Sequence, residues 1–580
     1  MDCHSLCWQL PSCSPSTFYL SSPSPWPKFS LPRLKLLSKY LRLVCTCKLL
    51  PDNELTPDVY SEPRQLHGRF LQITDMHPDP YYKAHKSQSN ACHRNKPKKK
   101  KNRSNYYGTP YSDCDSPFRL TNFTLNFLEK HWASEIDFVV WTGDNARHDN
   151  DRKLPRTPSE IYDLNTVVAK RMEKIFSSRG IPVIPSLGNN DVWRECLLNM
   201  CPNSITNEYS SIWKPFIPFP YHQVFQRGAY YSVEVVPNAL AVISLNTMYF
   251  YDSNKAVGGC LMKEPDDPGN LQFDWLEVQL KLYRARNMQA GFGHVPPSSG
   301  NFFPECYVRY VDLSLRFQDT ILGHLYGHMN ADHFFFVEAI DLEFDLDQDS
   351  RAITVQNGDL CDALLEDFSA LPKPSRTDLD NYGVINVSPP VVPNPYLPTF
   401  RIFSYNVTGF EASPIGVMKK NRKHSHHRGE HGNKGELCKK EPYRSSWKCQ
   451  LNSTWHSDPD SPSRRNQLWS PLGYAQYYIP DLAEGNKTHK PHFKLEYTTY
   501  SPLDLHPAAT EEDGKFVYPI PLGNLPKSLR KGPVEKSHYT PYGMQDLTVG
   551  SWVELARRLA SGKENKLRKR FREFMYIGGE

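Results

Sequence analysis

Five apolar runs in this chain stop abruptly, and each stops at an aspartate, an asparagine or a histidine. ITDMHPDPYY leaves Ile73 and reaches Asp75 and His77. WTGDNARHD follows Phe138, Val139 and Val140 and presents Asp144 and His148. SLGNND carries Asn189, Asn190 and Asp191; GFGHVPP carries His294; HLYGHMNADHF carries His328, Asn330 and His333. Short apolar runs between turn signals read as buried strands. A polar group just past each of them implies a layered α/β fold with its chemistry at the carboxyl ends of the strands. Taken singly, a D-x-H pair or a GD turn is weak evidence and has an ordinary reading as a turn. The repeated placement, in one fixed order, is what carries weight.

Strands are expected at Arg69–Thr74, Asp137–Thr142, Ile181–Leu187, Ala239–Leu245, Met288–Phe292, Asp319–Leu325, His333–Ile340 and Ile353–Gln356. Ile161, Leu164, Val168, Met172, Ile175 and Phe176 recur at helical spacing, with Gly180 as a stop. Phe273, Leu276, Leu280 and Tyr283 make a second stripe, and Leu547, Trp552, Leu555, Ala556 and Leu559 a late third one. Such stripes are core-facing helix. At 580 residues, with 39% hydrophobic residues and 49 prolines, the chain has room for a large core and long irregular stretches.

Three regions follow. Residues 1–66 read as a Ser/Pro-rich, disordered leader; 67–360 as the α/β domain; 361–580 as an irregular C-terminal extension. Within the last, Pro389, Pro390, Pro393, Pro395 and Pro398 mark a rigid linker or edge, and about 418–466 is a disordered basic, His-rich insertion. His424, His426, His427 and His431 lie in that tract, which reads as solvated before it reads as metal-binding. In the leader, Leu34–Leu50 is apolar but interrupted by Lys and Arg, too short and too charged to span a bilayer. No clear signal peptide or anchor is read there.

The net charge of +6 is modest but uneven. Lys96, Lys98, Lys99, Lys100, Lys101 and Arg103 form one dense run and 419–431 another. Such runs are ordinarily solvated. The first follows Asp75 and His77 closely, so it also reads as a loop facing a polyanion. No nucleic-acid recognition module is present, and specific nucleic-acid binding is not expected. Of the 14 cysteines, Cys92 with Cys114 and Cys196 with Cys201 are close enough to bridge, though pairing is not legible in sequence. Asn102, Asn122, Asn386, Asn406, Asn452 and Asn486 are six Asn-x-Ser/Thr acceptors, which with these cysteines lean toward a secretory or vacuolar lumen.

The order DxH, GDxxxHD, GNxD, GH, GHxx resembles the calcineurin-like metallophosphatase superfamily. WTGDNARHD is similar to the acid-sphingomyelinase-like branch. GNND, GFGHVPP, GHMNADHF and the late YTPYGMQDLTVGSWVELARRL together resemble the fungal vacuolar endopolyphosphatases. That resemblance implies a four-layer α/β/β/α sandwich holding two divalent cations (Mn, Zn, Co, Fe or Mg). Asp75 and His77 would hold the first, Asp144 would bridge both, and Asn189, His294 and His328 would hold the second. Asn330 stands where related phosphodiesterases carry a second histidine ligand, and Asn190 where they carry a histidine acting on the leaving group. His148 would then be the proton donor. Arg147, Lys98, Lys99 and Lys100 would neutralise neighbouring phosphates.

The implied reaction is hydrolysis of internal phosphoanhydride bonds of inorganic polyphosphate by a hydroxide activated between the two cations. The implied place is the vacuole, with possible membrane association. A sphingomyelinase-like phosphodiesterase and a non-catalytic polyphosphate-binding protein with a decayed metal site are the alternatives. Expulsion of a phosphate needs less protonation than expulsion of an alkoxide, so Asn190 fits an anhydride better than an alkyl ester.

Overall fold

The computed structural model describes residues 65–193, 203–286, 293–344, 359–410, 434–441, 443–451, 453–506, 519–532, 534–577 and 579. The leader segment Leu34–Leu50, Cys196, Cys201, Asn452, the strands expected at Met288–Phe292 and Ile353–Gln356, and His424 to His431 lie outside these residues.

Thirteen strands are present among the described residues: β1 (Arg69–Ile73), β2 (Pro78–Asp79), β3 (Ser116–Pro117), β4 (Phe138–Trp141), β5 (Val183–Pro185), β6 (Tyr231–Val236), β7 (Leu240–Ser244), β8 (His324–Tyr326), β9 (His333–Glu338), β10 (Tyr382–Val387), β11 (Thr399–Tyr405), β12 (Pro471–Tyr478) and β13 (Lys494–Thr498). The main helices are α1 (Phe118–His131), α2 (Pro158–Ile175), α3 (Ser204–Ile212), α4 (His222–Gly228), α5 (Pro268–Ala285), α6 (Pro304–Arg316), α7 (Leu360–Ser369), α8 (Val549–Ala560) and α9 (Asn565–Met575).

The larger sheet has the order β13-β12-β11-β1-β4-β5. β1, β4 and β5 are parallel, joined through α1 and α2, whereas β11 runs antiparallel to β1. Phe70 on β1 stacks between Phe138 of β4 and Phe403 of β11, at 4.7 and 4.9 Å. The second sheet, β8-β10-β9, faces it together with the β6–β7 hairpin. Phe70, Val140 and Phe403 on one side and Val242, Leu325 and Val384 on the other line a narrow apolar space between them. Helices cover the outer faces, and the whole is the four-layer α/β/β/α sandwich.

Helix α2 starts where Thr157 caps it by accepting from Glu160 N, with Pro158 in the first turn. It ends in a 3-10 turn closed by Gly180 at φ 72°, the expected stop. α5 and α8 also form where their apolar stripes lie.

The chain after residue 360 is more regular than its composition suggests. β11, β12 and β13 supply half of the larger sheet, and β10 is the centre of the smaller one. The proline-rich stretch runs along the loop that follows β1: Val391 N donates to Thr74 O and Val392 N to Asp75 O, at 3.1 and 2.8 Å. Proline has no N–H to give, so the two valines between the prolines make these bonds. Further on, Trp447 docks on α6. Its backbone N–H donates to Glu305 at 2.7 Å, and the Arg309 guanidinium sits 4.4 Å above its ring.

Disulfides join Cys92 to Cys114, Cys260 to Cys306 and Cys438 to Cys449. Of the Asn-x-Ser/Thr acceptors, Asn102, Asn122 and Asn486 are exposed, while Asn386 is buried inside β10. No helix among the described residues is long and apolar enough to cross a membrane.

Candidate metal centre and active site

The loops after β1, β4, β5 and β8 gather at one edge of the sandwich, with the loop bearing His294 among them. Asp75 and His77 follow β1, Asp144 follows β4, Asn189 follows β5 and His328 follows β8. Their backbones are unusual. Asp75, His77, Asp144, His328 and Asn330 all have positive φ, between 37° and 69°. A left-handed non-glycine residue costs about 1–3 kcal/mol and persists where the surroundings over-determine it. Five of them in one cluster mark a site held against its local preferences.

Glycines permit the close approach of these loops. Gly143 has φ 96°, and a Cβ there would lie 2.7 Å from Gly188 N. A Cβ on Gly188 would lie 2.0 Å from Asp144 Oδ1. The expected result for Gly188→Ala is a folded protein, unchanged by circular dichroism, whose turnover drops about 100-fold as Asp144 is displaced by about 1 Å.

Two sets of donors meet within 4.8 Å of each other: Asp75, His77 and Asp144, and Asp144, His294 and His328. His77 Nε2 stands 3.5 Å from Asp75 Oδ1 and 3.4 Å from Asp144 Oδ2, and His294 Nε2 stands 3.5 Å from Asp144 Oδ2. These separations are long for hydrogen bonds. Donors about 2.1 Å from one tetrahedral cation stand about 3.4 Å apart. His77 Nε2, Asp75 Oδ1 and Asn330 Oδ1 are buried and have no hydrogen-bond partner among the described residues. The opposite nitrogens of His77 and His294 are fixed on backbone carbonyls of Ala146 and Thr142, as ligating imidazoles require. Asn189 Oδ1 lies 3.2 Å from His294 Nε2 and 2.7 Å from His328 Nδ1. The residues present therefore fit divalent cations, with Asp144 common to both sets.

The electrostatics agree. Burial disfavours charge on His77 and His294, yet the surrounding carboxylates, chiefly Asp75 for the first and Asp144 for the second, raise each to about 9. Burial and the neighbouring His294 lower His328 to about 4, which keeps its imidazole neutral. Burial works against the Asp144 charge, but His294, His77 and the Asn190 amide outweigh it and hold the carboxyl well below its ordinary range. The carboxylates here call for positive charge in a buried place, which is the character of a cation site.

Several of these residues have partners that the sequence did not indicate. Arg147 faces away from the cluster. Its guanidinium is buried, paired with Glu160 of α2 at 2.6 Å and donating to Leu154 O. It therefore braces the loop and does not reach a phosphate. Asn190 N and Nδ2 both donate to Asp144, at 2.8 Å, and its Oδ1 accepts from Arg156 at 3.2 Å. Asn190 is thus a clamp on Asp144. Asn330 Nδ2 donates to Asn394 O at 3.0 Å. His333 opens β9 with its Nδ1 against Ala331 O, outside the cluster. Asp149 Oδ1 accepts from Arg156 N at 2.9 Å, which braces the loop.

Two carboxylates were given no role from the sequence. Asp115, buried, accepts from His148 N and pairs with His148 Nδ1, both at 2.7 Å. The His148 ring then stacks on His77, centroids 4.0 Å apart. This fixes His148 beside the cluster and leaves Nε2 as the nitrogen that Asp115 does not engage. Asp191 accepts from the backbone N–H groups of Asp144, Asn145, Ala146 and Gly188, at 2.7–3.2 Å, and from Asn165 Nδ2 at 3.0 Å. It ties the β4 and β5 loops together. Asp115 has no motif around it; Asp191 stands inside GNND but looked like part of a turn.

Lys98, Lys99 and Lys100 are exposed on an excursion that leaves at β2 and returns at β3. The neck is closed by β2–β3 pairing and by Ser116 N donating to His77 O, the body by the Cys92–Cys114 bridge. Arg103 donates to Pro97 O and Lys98 O, which folds the lysine run into an ordered turn.

A cluster of carboxylate, imidazole and amide donors at the strand ends of this four-layer sandwich is the hallmark of the metal-dependent phosphoesterases. The calcineurin-like phosphoesterase family matches residues 68–329. A protein of Cryptococcus neoformans named endopolyphosphatase is 38% identical over 92% of this chain and 94% of its own length. Proteins of the same name from Neurospora crassa and Saccharomyces cerevisiae are 37% and 44% identical, over 61% and 47% of this chain and 54% and 41% of their own lengths. The chain belongs to the endopolyphosphatase family of calcineurin-like phosphoesterases.

Proposed function

We propose that this protein hydrolyses internal phosphoanhydride bonds of inorganic polyphosphate at the cluster around Asp144. The carrying observation is the set of carboxylate–imidazole separations of 3.4–3.5 Å about Asp144 Oδ2 and His77 Nε2, with buried donors left unpartnered. In this reading Asp75, His77 and Asn330 would hold one divalent cation and Asn189, His294 and His328 a second, with Asp144 shared between the sets. Such a pair would supply Lewis acidity toward phosphoryl oxygens and toward the attacking water.

The chain's own residues do the rest. Asn190 and Asp191 hold Asp144 in place. Asp115 takes the Nδ1 side of His148, so His148 Nε2 is free to hand a proton to the departing phosphate oxygen. A polyphosphate leaving group needs only modest help of that kind, which suits a site with an asparagine at position 190. The exposed lysines of the excursion supply positive charge to flanking phosphates without regard to register, which suits cutting within a chain. The three disulfides and the exposed acceptors Asn102, Asn122 and Asn486 favour an oxidising lumen such as the vacuole.

The test is long-chain polyphosphate with a series of divalent cations, products sized on a gel. Intermediate lengths are expected; monophosphate as the sole product from the earliest times would replace internal cutting by end-trimming, and no product at all would remove the reading. The triple variant Lys98→Ala/Lys99→Ala/Lys100→Ala is expected to raise KM for long chains about tenfold at low salt, three exposed ion pairs of about 0.5 kcal/mol each. The difference should shrink as salt rises, with kcat unchanged.

A further inference from the structure

We propose that Asp481, His489 and His492 form a separate divalent-cation site, of a kind suited to Zn2+, on the loop between β12 and β13. One possible ligand atom from each lies within 4.8 Å of the others, and none belongs to the catalytic cluster.

The loop is built before any ligand arrives. Leu482 is fully buried with Ile479, Tyr107 and Leu120, which anchors the loop's first half. Asn486 Oδ1 accepts from Thr488 N, Thr488 Oγ1 and His489 N, at 2.8–3.0 Å, and Asn486 N donates back to His489 O at 2.8 Å. These bonds set the position of His489. His492 is set by Asp481: its N–H donates to Oδ1 and its Nδ1 meets Oδ2, both at 2.9 Å. The two imidazole rings lie 5.7 Å apart at 65°.

An exposed His–Asp pair is common and by itself means little. Here a second imidazole is brought to the same carboxylate by an independent set of hydrogen bonds. The carboxylate is largely shielded while both rings are open to solvent, with the Asp481 and His492 side chains 16% and 60% exposed. Two imidazoles and a carboxylate leave a coordination position for water, a donor set that takes Zn2+ in preference to Mg2+ or Ca2+. Leu482 of this loop packs in one apolar cluster with Tyr107, on the returning arm of the lysine excursion. A cation here stiffens the support beneath that arm.

The experiment uses the full chain, stripped with chelator and re-equilibrated with zinc alone, with bound zinc counted by elemental analysis and thermal melts recorded in parallel. Wild type is expected to hold one zinc more than His489→Ala/His492→Ala, while the double variant hydrolyses polyphosphate at the wild-type rate. Asp144→Asn should lose zinc from the central cluster and keep this one. Should the double variant fold poorly, His489→Gln alone is expected to weaken this equivalent about tenfold or more. Equal zinc counts and equal zinc-dependent melts in wild type and variant overturn the proposal, whatever the fate of the polyphosphate reading.

Discussion

Asp144→Asn is expected to lower polyphosphate hydrolysis by about three orders of magnitude and to lower bound divalent cation at the same time. Asp144 is the only carboxylate in both candidate ligand sets. A cation pair supplies several kcal/mol of charge stabilisation in the transition state, and about 4 kcal/mol is a factor of about 1,000. The amide keeps the shape but removes the charge between His77 and His294. It also turns an N–H toward Asn190, whose N and Nδ2 are both donors to Asp144. Turnover under saturating polyphosphate, with cation content measured on the same sample, decides the matter. A variant within tenfold of wild type and with unchanged cation content would remove Asp144 from its shared role.

Asp191→Ala is expected to be the most destabilising single change near the site. It removes the acceptor for four backbone N–H groups and two side-chain amides, Asn165 and, at longer range, Asn145, all in the interior. An unsatisfied buried donor costs about 1–3 kcal/mol, so the loss should reach about 4 kcal/mol or more after relaxation and entry of water. Asp191→Asn keeps one acceptor oxygen and is expected to lose about half as much, with turnover reduced about 10- to 100-fold. Burial, and then the nearby Asp144 charge, raise the Asp191 carboxyl above its ordinary range. Its charge is therefore a cost the loops bear for the sake of geometry. A thermal melt of Asp191→Ala matching that of Asp144→Asn would contradict this.

The two variants together separate ligation from positioning. Asp144→Asn should lose activity and cation with a small change in melting. Asp191→Asn should lose stability first, and activity through displaced loops.

The candidate ligands were legible because each stands directly past an apolar run, and strand ends converge in this kind of fold. Arg147 shows where that logic stops. It occupies the same GD loop, but Glu160 lies thirteen residues on, at the start of α2, and claims its guanidinium. No local pattern reveals a partner supplied by the next helix. Asp115 was hidden for a similar reason: its role depends on an excursion returning to His148, which is a property of the folded path.

The late strands were missed because their signal is masked. β11, TFRIFSY, is buried along its whole length, so polar residues do not alternate to the outside. Arg401 in its middle looks like a surface residue, yet it pairs with Asp332 and donates to Gln476 and Val387 in the interior. A buried strand that carries its own neutralised charge has no period-two signature. The proline stretch misled in the same way, because its contribution lies in two valine N–H groups.

That stretch has a consequence for biosynthesis. A growing chain that has passed residue 330 already carries every candidate ligand. It still lacks β11 beside β1, and Val391 and Val392 to clasp Thr74 and Asp75. Translation must pass the far strand β11 before the first ligand loop, already tied to Gly143 O and Asp144 O, gains its last backbone clasps.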